Sequence, residues 1–392
     1  MLTVLLVIIY IAFIGLGLPD AILGAAWPTM YQEMNVPISN AGIITSLIAV
    51  GTVTSSLFSP KIIHYMGTGK VTTISMGLSA LALFGFSMSQ QFWMLILWAI
   101  PFGLAAGSVD AALNNFVALH YKASHMSWLH AFWGVGASCG PLVMGFVLMK
   151  GFTWNFGYQT IAILQVLLVI CLICSIPLWK KVEKNDEIDS PKALKPYGIM
   201  EALRISGVKQ AVLAFFCYCA MEFTAGLWIS SYMVIQYGIT EALAASFGSL
   251  FYLGITGGRF ICGFLAMKFS DKQLVRMGQA VAMLGVLIVL LPFGYEVGLA
   301  GCLLIGMGLA PIFPSLLHAT PYHFGKEASQ TIIGMQMACS YTGTTLMPLV
   351  FGWIAESTTI SVLPFYLMFF AVCMICFTEV LFAKVKRAHS AQ

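Results

Sequence analysis

The chain has 392 residues, of which 59% are hydrophobic and only 9% are charged. Soluble domains carry roughly 25% charged residues, because their surfaces face water. This composition, with a mean hydropathy of +0.90, excludes a soluble enzyme, a nucleic-acid-binding protein and a disordered chain. It indicates a polytopic membrane protein whose main partner is the lipid bilayer.

The apolar runs are continuous and have the length of bilayer-spanning α-helices, about 20 residues each. Transmembrane β-strands would instead alternate apolar and polar residues over about ten positions. We therefore predict an all-α membrane protein with twelve transmembrane helices. The predicted spans are residues 3–31, 37–60, 71–89, 92–118, 127–149, 157–179, 210–236, 241–266, 273–292, 297–317, 328–354 and 361–383.

The 19 Lys and Arg residues lie almost entirely in alternate connections between these spans. Seventeen fall on one side of the predicted membrane, whereas Lys150 lies on the other side and Arg259 lies inside span 8. The positive-inside rule then places both termini and the loop 180–209 in the cytoplasm of a multi-pass inner-membrane protein. The net charge of +4 therefore reflects topology rather than affinity for nucleic acid.

The long polar connection divides the chain into halves of six predicted spans each. We predict an N-terminal bundle of residues 1–179, a cytoplasmic linker of residues 180–209 and a C-terminal bundle of residues 210–392. Repeats in the same topology indicate two pseudo-symmetric bundles, as in secondary transporters that move around a central site. Two motifs recur: Ser46-Leu47-x3-Gly51 as Ser249-Leu250-x3-Gly254, and Gly136-x4-Pro141-Leu142-Val143-x-Gly145 as Gly343-x4-Pro348-Leu349-Val350-x-Gly352.

Four charged residues lie well inside predicted spans, away from the span ends, where each costs on the order of 3 kcal/mol. They are Asp20, Asp110, Glu222 and Arg259, and glycines share a helical face with each carboxylate. Burial disfavours the charged form of a carboxyl group, so such a group can bind and release a proton near neutral pH. We predict that Asp20, Asp110 and Glu222 couple transport to protons. The structural alternatives are a helix cap, an interhelical hydrogen bond or an ion pair with Arg259.

Uncharged polar and aromatic residues of the spans suit a neutral, sugar-like solute, because amides hydrogen-bond hydroxyls and aromatic rings offer flat apolar faces. Aromatic residues in membrane helices also serve packing and the membrane interface, which is the alternative for each of them. We expect Arg259 and His130 to have gating or structural roles. The candidate substrate-binding residues are Asn114, Asn115, Trp133, Gln165, Trp228, Tyr232, Gln336 and Tyr341.

Other chemistries lack complete motifs. The ten Cys residues all fall within predicted spans. The segment Gly67-Thr68-Gly69-Lys70 lacks the upstream glycine and the following Ser or Thr of a P-loop. We therefore expect no enzymatic activity, no metal and no cofactor other than the proton as coupling ion. We also expect a monomer with no nucleic-acid partner.

Twelve spans in two halves with a basic central loop resemble the major facilitator superfamily over the whole chain. Within it, residues 107–117 and 126–136 resemble the fucose–galactose–glucose:proton symporter family. Members of that family carry an acid in span 4 at the position of Asp110 and another in span 1 that matches Asp20 next to Pro19. The resemblance implies that these two residues take part in proton coupling and sugar binding.

We therefore predict a proton-coupled secondary active transporter that imports a neutral sugar or sugar-like solute by alternating access. The motif Gly136-x3-Gly140-Pro141-x3-Gly145 resembles in part that of proton-coupled drug antiporters, so an efflux antiporter is the first alternative. The sequence does not encode turnover, so a non-transporting membrane nutrient sensor is the second.

Overall fold

The computed structural model describes residues 2–20, 22–37, 40–189, 197–239, 241–291 and 293–390. These residues form α-helices with short connections and one 3-10 turn at Ile360–Val362, and there is no strand among them. In chain order the helices are α1 (Leu2–Gly17), α2 (Ile22–Glu33), α3 (Ala41–Met66), α4 (Thr68–Met88), α5 (Phe92–His120), α6 (Ala123–Met149), α7 (Trp154–Asp189), α8 (Ile199–Ala202), α9 (Val208–Tyr237), α10 (Glu241–Leu265), α11 (Asp271–Val289), α12 (Tyr295–Leu309), α13 (Ile312–Phe324), α14 (Lys326–Ser357) and α15 (Leu363–Ser390).

Ten helical stretches of the described chain are long and apolar enough to cross a membrane. A shorter apolar helix, Leu250–Leu265, forms the second part of α10. The 32-residue helix α14 is not among the ten; it begins with Lys326 and Glu327 and carries many Ser, Thr and Gln residues. With about 10 to 12 apolar helices, the chain is an all-α, multi-pass membrane protein, and that prediction is confirmed.

The first predicted span is interrupted next to a proline. Helix α1 ends at Gly17 and α2 begins at Ile22. Pro19 has no backbone N–H, so it cannot donate the helical hydrogen bond to the carbonyl of Gly15. The side-chain amide of Gln165, from α7, donates to that carbonyl instead. The break therefore leaves this carbonyl satisfied although the helix is discontinuous.

The tenth predicted span is interrupted as well. Helix α12 ends at Leu309 and α13 begins at Ile312, with Pro311 between them. The two pieces nevertheless form one apolar stretch from Tyr295 to Phe324 that is long enough to cross a membrane. The break at Pro311 corrects the uninterrupted span 297–317 that the apolar run predicts.

The chain forms two compact units. Unit 1 comprises the described residues of Met1–Phe116 and Leu129–Pro196, and unit 2 those of Val117–Trp128 and Tyr197–Gln392. Helix α7 continues to Asp189, so it extends into the segment that the sequence analysis assigned to the linker.

The first repeated glycine has the same packing role in each unit. In unit 1, a Cβ on Gly51 of α3 would lie 3.0 Å from the backbone nitrogen of Leu104 in α5. In unit 2, a Cβ on Gly254 of α10 would lie 2.7 Å from the carbonyl oxygen of Leu303 in α12. Glycine lets each pair of helix backbones approach closely, as is common in membrane proteins.

The second repeated glycine behaves in the same way. Gly136 of α6 packs against the carbonyl of Ile14 in α1, where there is no room for a Cβ. A Cβ on Gly343 of α14 would lie 2.7 Å from the carbonyl of Phe216 in α9. Both repeated motifs thus place a close helix–helix contact at equivalent positions of the two units.

An aromatic cluster packs one end of unit 1. The rings of Phe86 and Tyr158 stack with centroids 5.4 Å apart, and Trp154 meets Tyr158 edge-on at 6.0 Å. The indole Nε1 of Trp154 also donates to Glu33 Oε2 at 2.6 Å, which links α7 to the end of α2. This cluster fixes α2, the helix that follows the break, against α4 and α7.

Candidate functional site

In unit 1, Asp110 lies buried on α5 and begins a chain of polar side chains. Asn114 Nδ2, one turn later, donates to Asp110 Oδ1 at 2.7 Å and to the Asp110 carbonyl at 3.0 Å. His130 Nε2, on α6, lies 3.0 Å from Asn114 Oδ1. Because that amide oxygen can only accept, the contact requires a proton on His130 Nε2. The chain therefore connects a carboxyl group to an imidazole through one amide.

The glycines that precede Asp110 on α5 serve packing rather than ligand space. Gly107 abuts the carbonyl of Thr52 in α3, with no room for a Cβ. Thr52 Oγ1 donates to the Gly103 carbonyl and Ser56 Oγ donates to the Gly107 carbonyl, each at 3.2 Å. These contacts fix α5 against α3 and hold the position of Asp110.

Asp20 lies in the break between α1 and α2, and its side chain is solvent-accessible. Its Oδ2 accepts a hydrogen bond of 2.8 Å from Trp133 Nε1 in α6. Close packing supports this bond, because Gly17 abuts the Trp133 carbonyl and Gly140 abuts the Leu18 carbonyl. A cavity of about 10 Å³, lined by Asp20 and by side chains of α4 and α5, lies next to the carboxyl group. That volume is about the size needed for one water molecule.

In unit 2, Glu222 of α9 forms a buried ion pair with Arg259 of α10. Arg259 Nη2 lies 3.4 Å from Glu222 Oε1 and donates to Tyr218 Oη, also at 3.4 Å. In a buried pair of this kind each charge compensates the other in a medium of low polarity. The structure forms the ion pair that the sequence analysis gave as the alternative, while proton coupling by Glu222 stays a prediction.

The other predicted residues of unit 2 make contacts with the protein. Trp228 Nε1 donates to the Pro348 carbonyl at 3.0 Å, and Gln336 Oε1 accepts from Thr320 Oγ1 at 3.2 Å. Tyr232 is buried, with its ring centroid 6.3 Å from that of Tyr237. Tyr341 lies half-buried on α14.

Two predicted substrate-binding residues of unit 1 also contact the protein. Asn115 is buried next to Asn114, and the side chain of Gln165 donates to the Gly15 carbonyl.

A cluster in unit 2 was not predicted from the sequence. His318 Nδ1 of α13 lies 2.7 Å from Asp271 Oδ2 of α11, and its Nε2 lies 3.1 Å from the Tyr121 carbonyl. The Trp128 indole packs directly on Gly263, where a Cβ has no room. These contacts fix the segment 117–128 within unit 2. The capping box Ser270–Gln273 marks the start of α11 in the sequence, but nothing local indicates the partner of Asp271.

Long apolar helices with buried charged groups define a polytopic membrane protein of the transporter type. Within the described residues, no group of three or more His, Cys, Asp or Glu side chains could hold a metal ion. The Major Facilitator Superfamily model matches residues 9–348 and 213–392, and the chain belongs to this superfamily. The resemblance predicted from the sequence is confirmed, and the relatives are transporters rather than enzymes.

Relatives of known name are similar over most of the chain. The glucose/mannose transporter GlcP of Bacillus subtilis is 21% identical over 361 residues, which cover 90% of this chain and 88% of GlcP. The structure of FucP in the outward conformation superposes with a TM-score of 0.75 at 16% identity and covers 97% of both chains. The proton:xylose symporter XylE gives 0.79 at 10% identity, over 97% of this chain and 95% of XylE. At these identities the two structures show a shared fold.

Proposed function

We propose that the protein is a proton-coupled secondary active transporter that imports a neutral sugar or sugar-like solute by alternating access. The observation that carries the proposal is the chain from Asp110 through Asn114 to His130 in unit 1. It is supported by GlcP, named a glucose/mannose transporter, and by FucP and XylE, which are named fucose:proton and proton:xylose symporters.

The side chain shown to donate a hydrogen bond to the Asp110 carboxyl group is the neutral amide of Asn114. Neither Lys nor Arg occurs in α1, α2, α5 or α6. A carboxyl group with neutral hydrogen-bond partners can be buried as the neutral acid at much lower cost than as the anion. We therefore propose that proton uptake by Asp110, assisted by Asp20, permits the occluded state.

A proton on Asp110 also changes the role of its neighbour. The carboxylate accepts from Asn114 Nδ2, whereas the acid carries an O–H that can donate. Rotation of the Asn114 amide would then change which group faces His130. We propose that this switch presents Asn114 and Asn115 to substrate hydroxyls, with Trp133, Gln165, Trp228, Tyr232, Gln336 and Tyr341 as further candidates for binding. Arg259 and His130 have gating or structural roles in this proposal.

The same proposal includes the topology. Helices α10 and α14 complete twelve transmembrane helices in two six-helix bundles, residues 1–179 and 210–392, joined by the linker 180–209. Both termini lie in the cytoplasm, because the basic connections lie on that side of the inner membrane. The protein acts as a monomer, and the proton is its only coupling species.

Purified protein in liposomes with an internal pH dye tests the proposal. Addition of one sugar from a panel of neutral monosaccharides should acidify the lumen. Asp110→Asn should abolish the acidification while exchange of labelled for unlabelled sugar continues. Glu356→Gln is the matched control, because it removes an exposed carboxylate at the end of α14.

Other outcomes would overturn the proposal in distinct ways. No pH change with any sugar would contradict a sugar symporter. Loss of a preloaded dye driven by the proton gradient would indicate an efflux antiporter. Specific sugar binding without movement would indicate a sensor.

A further inference from the structure

A basic cavity of about 550 Å³ lies in unit 2 at the beginning of α9. Arg204, Lys209 and Lys384 line it, and none of its described lining residues is acidic. The nearby carboxylate of Glu201 is turned toward its own helix, where Oε2 accepts from the Gly198 N–H at 3.2 Å. Among the described lining residues, the cavity therefore collects three positive charges without a counter-charge.

The backbone adds to this positive potential. Gly207 has a φ of +97°, which favours glycine, and this turn directs the chain into α9 between Arg204 and Lys209. No described side chain caps the start of α9. The first turn of a helix presents unsatisfied N–H groups and a partial positive charge. Cations next to that end repel it, so a bound anion would relieve the repulsion.

Lys384 is held in place over this helix end. Its Nζ donates to Gln210 Oε1 at 3.2 Å, which links α15 to the first turn of α9. Both helices belong to stretches that are long and apolar enough to cross a membrane. The cavity thus lies where two such helices approach the membrane surface. Phospholipid headgroups lie at the same depth.

Apolar side chains next to the cations indicate which anion fits. On α8, Met200 is 70% exposed and Ile199 is 37% exposed, and Met200 and Leu203 line the cavity. A free inorganic anion would gain nothing from these side chains. A phospholipid would cover them with its glycerol and acyl region while its phosphate reached the cations. Basic pockets near the cytoplasmic surface of membrane proteins suit such headgroups.

We propose that this cavity binds the headgroup of an anionic phospholipid, with its phosphate between Arg204, Lys209 and Lys384. Each Lys or Arg near an anionic lipid surface contributes about fivefold to affinity, so loss of all three should weaken binding about 100-fold. The proposal does not depend on which solute the protein transports.

Native mass spectrometry of the purified protein, titrated with dioctanoyl-phosphatidylglycerol, tests this site. The wild type should bind one lipid more tightly than any further copy. The triple variant Arg204→Gln, Lys209→Gln, Lys384→Gln should lose about 100-fold in affinity. The control triple variant Lys180→Gln, Lys181→Gln, Lys268→Gln removes three exposed cations elsewhere and should retain tight binding. Equal loss in both triple variants would overturn the proposal.

Two further arms separate a lipid from a free anion. Met200→Ser should weaken the phosphatidylglycerol complex severalfold and leave the affinity for inorganic phosphate unchanged. Displacement of the lipid by an equal concentration of inorganic phosphate would contradict a lipid site. If the triple variant does not fold, the single variant Lys384→Gln should still show about a fivefold loss.

Discussion

The two units use buried charge in opposite ways. In unit 1, Asp110 and Asp20 accept hydrogen bonds from an amide and an indole, and α5 and α6 carry no Lys or Arg. In unit 2, Glu222 faces the guanidinium of Arg259. A neutral partner leaves a carboxyl group without a compensating charge, whereas an opposite charge compensates it in a medium of low polarity. The contrast favours the carboxyl groups of unit 1 over Glu222 as the proton-binding groups that we propose.

The largest expected effect is on the stability of unit 2. Arg259→Met removes the cation and leaves the Glu222 carboxylate buried alone, which should lower the free energy of unfolding by about 3–5 kcal/mol. Thermal unfolding in detergent measures this loss. The double variant Glu222→Gln, Arg259→Met should recover most of it, because no unpaired charge remains. An Arg259→Met protein as stable as the wild type would contradict the claim that Glu222 of unit 2 depends on a charged partner.

The next effect concerns energy coupling in unit 1. One proton per solute at a potential of 100 mV supplies about 2.3 kcal/mol, or roughly 50-fold accumulation. Asp110→Asn should reduce the accumulation ratio in liposomes to one, because the amide cannot bind the coupling proton. Glu222→Gln should preserve the ratio even if transport slows. Loss of accumulation in both variants would show that Glu222 also carries a coupling proton.

A smaller effect should follow from the packing that supports Asp20. Gly140→Ala forces a methyl group against the Leu18 carbonyl and should cost about 1–3 kcal/mol in stability, as overpacking does. Gly145→Ala, on the same helix, is the matched control because nothing lies within 4 Å of its added Cβ. Thermal unfolding of both variants compares them directly. Equal melting temperatures would contradict a close contact between α6 and the break that follows α1.

The smallest expected effect is the free energy contributed by the hydrogen bond between Trp133 and Asp20. A double-mutant cycle of Trp133→Phe and Asp20→Asn, followed by thermal unfolding, isolates the interaction between the two side chains. A neutral hydrogen bond contributes about 1 kcal/mol, whereas one to a charged group contributes about 1.5–3 kcal/mol. We expect the value to fall toward the neutral figure as the pH decreases. A coupling energy that is zero at every pH would show that the contact is not formed.

Much of the fold could be predicted from the sequence because the signals are local. Continuous apolar runs gave the positions of the long helices. The spacing of four residues also placed Asp110 and Asn114 on one helical face, where the structure shows their hydrogen bond. These features depend on residues within one or two helical turns.

The rest depends on how helices pack, which local spacing does not determine. The sequence alone did not indicate that Gln165 would reach Gly15, 150 residues earlier. Nor could it pair His130 with Asn114, since that contact depends on the register of α6 against α5. Glycines beside a carboxylate suit either close packing or ligand space, and the contacts of Gly107 with α3 show packing.

The break in the first span has a mechanical consequence. Across it, the backbone bonds from Asp20 to Gly17 and from Ile22 to Pro19 each span only three residues, with lengths of 3.1 and 3.3 Å. Such a short joint can act as a hinge between α1, which packs on α6, and α2, which packs on α4 and α7. Since Asp20 belongs to the hinge itself, a rotation of a few degrees would alter its distance from the Trp133 indole. The orientation of α2 relative to α1 and the protonation of this carboxyl group would then change together.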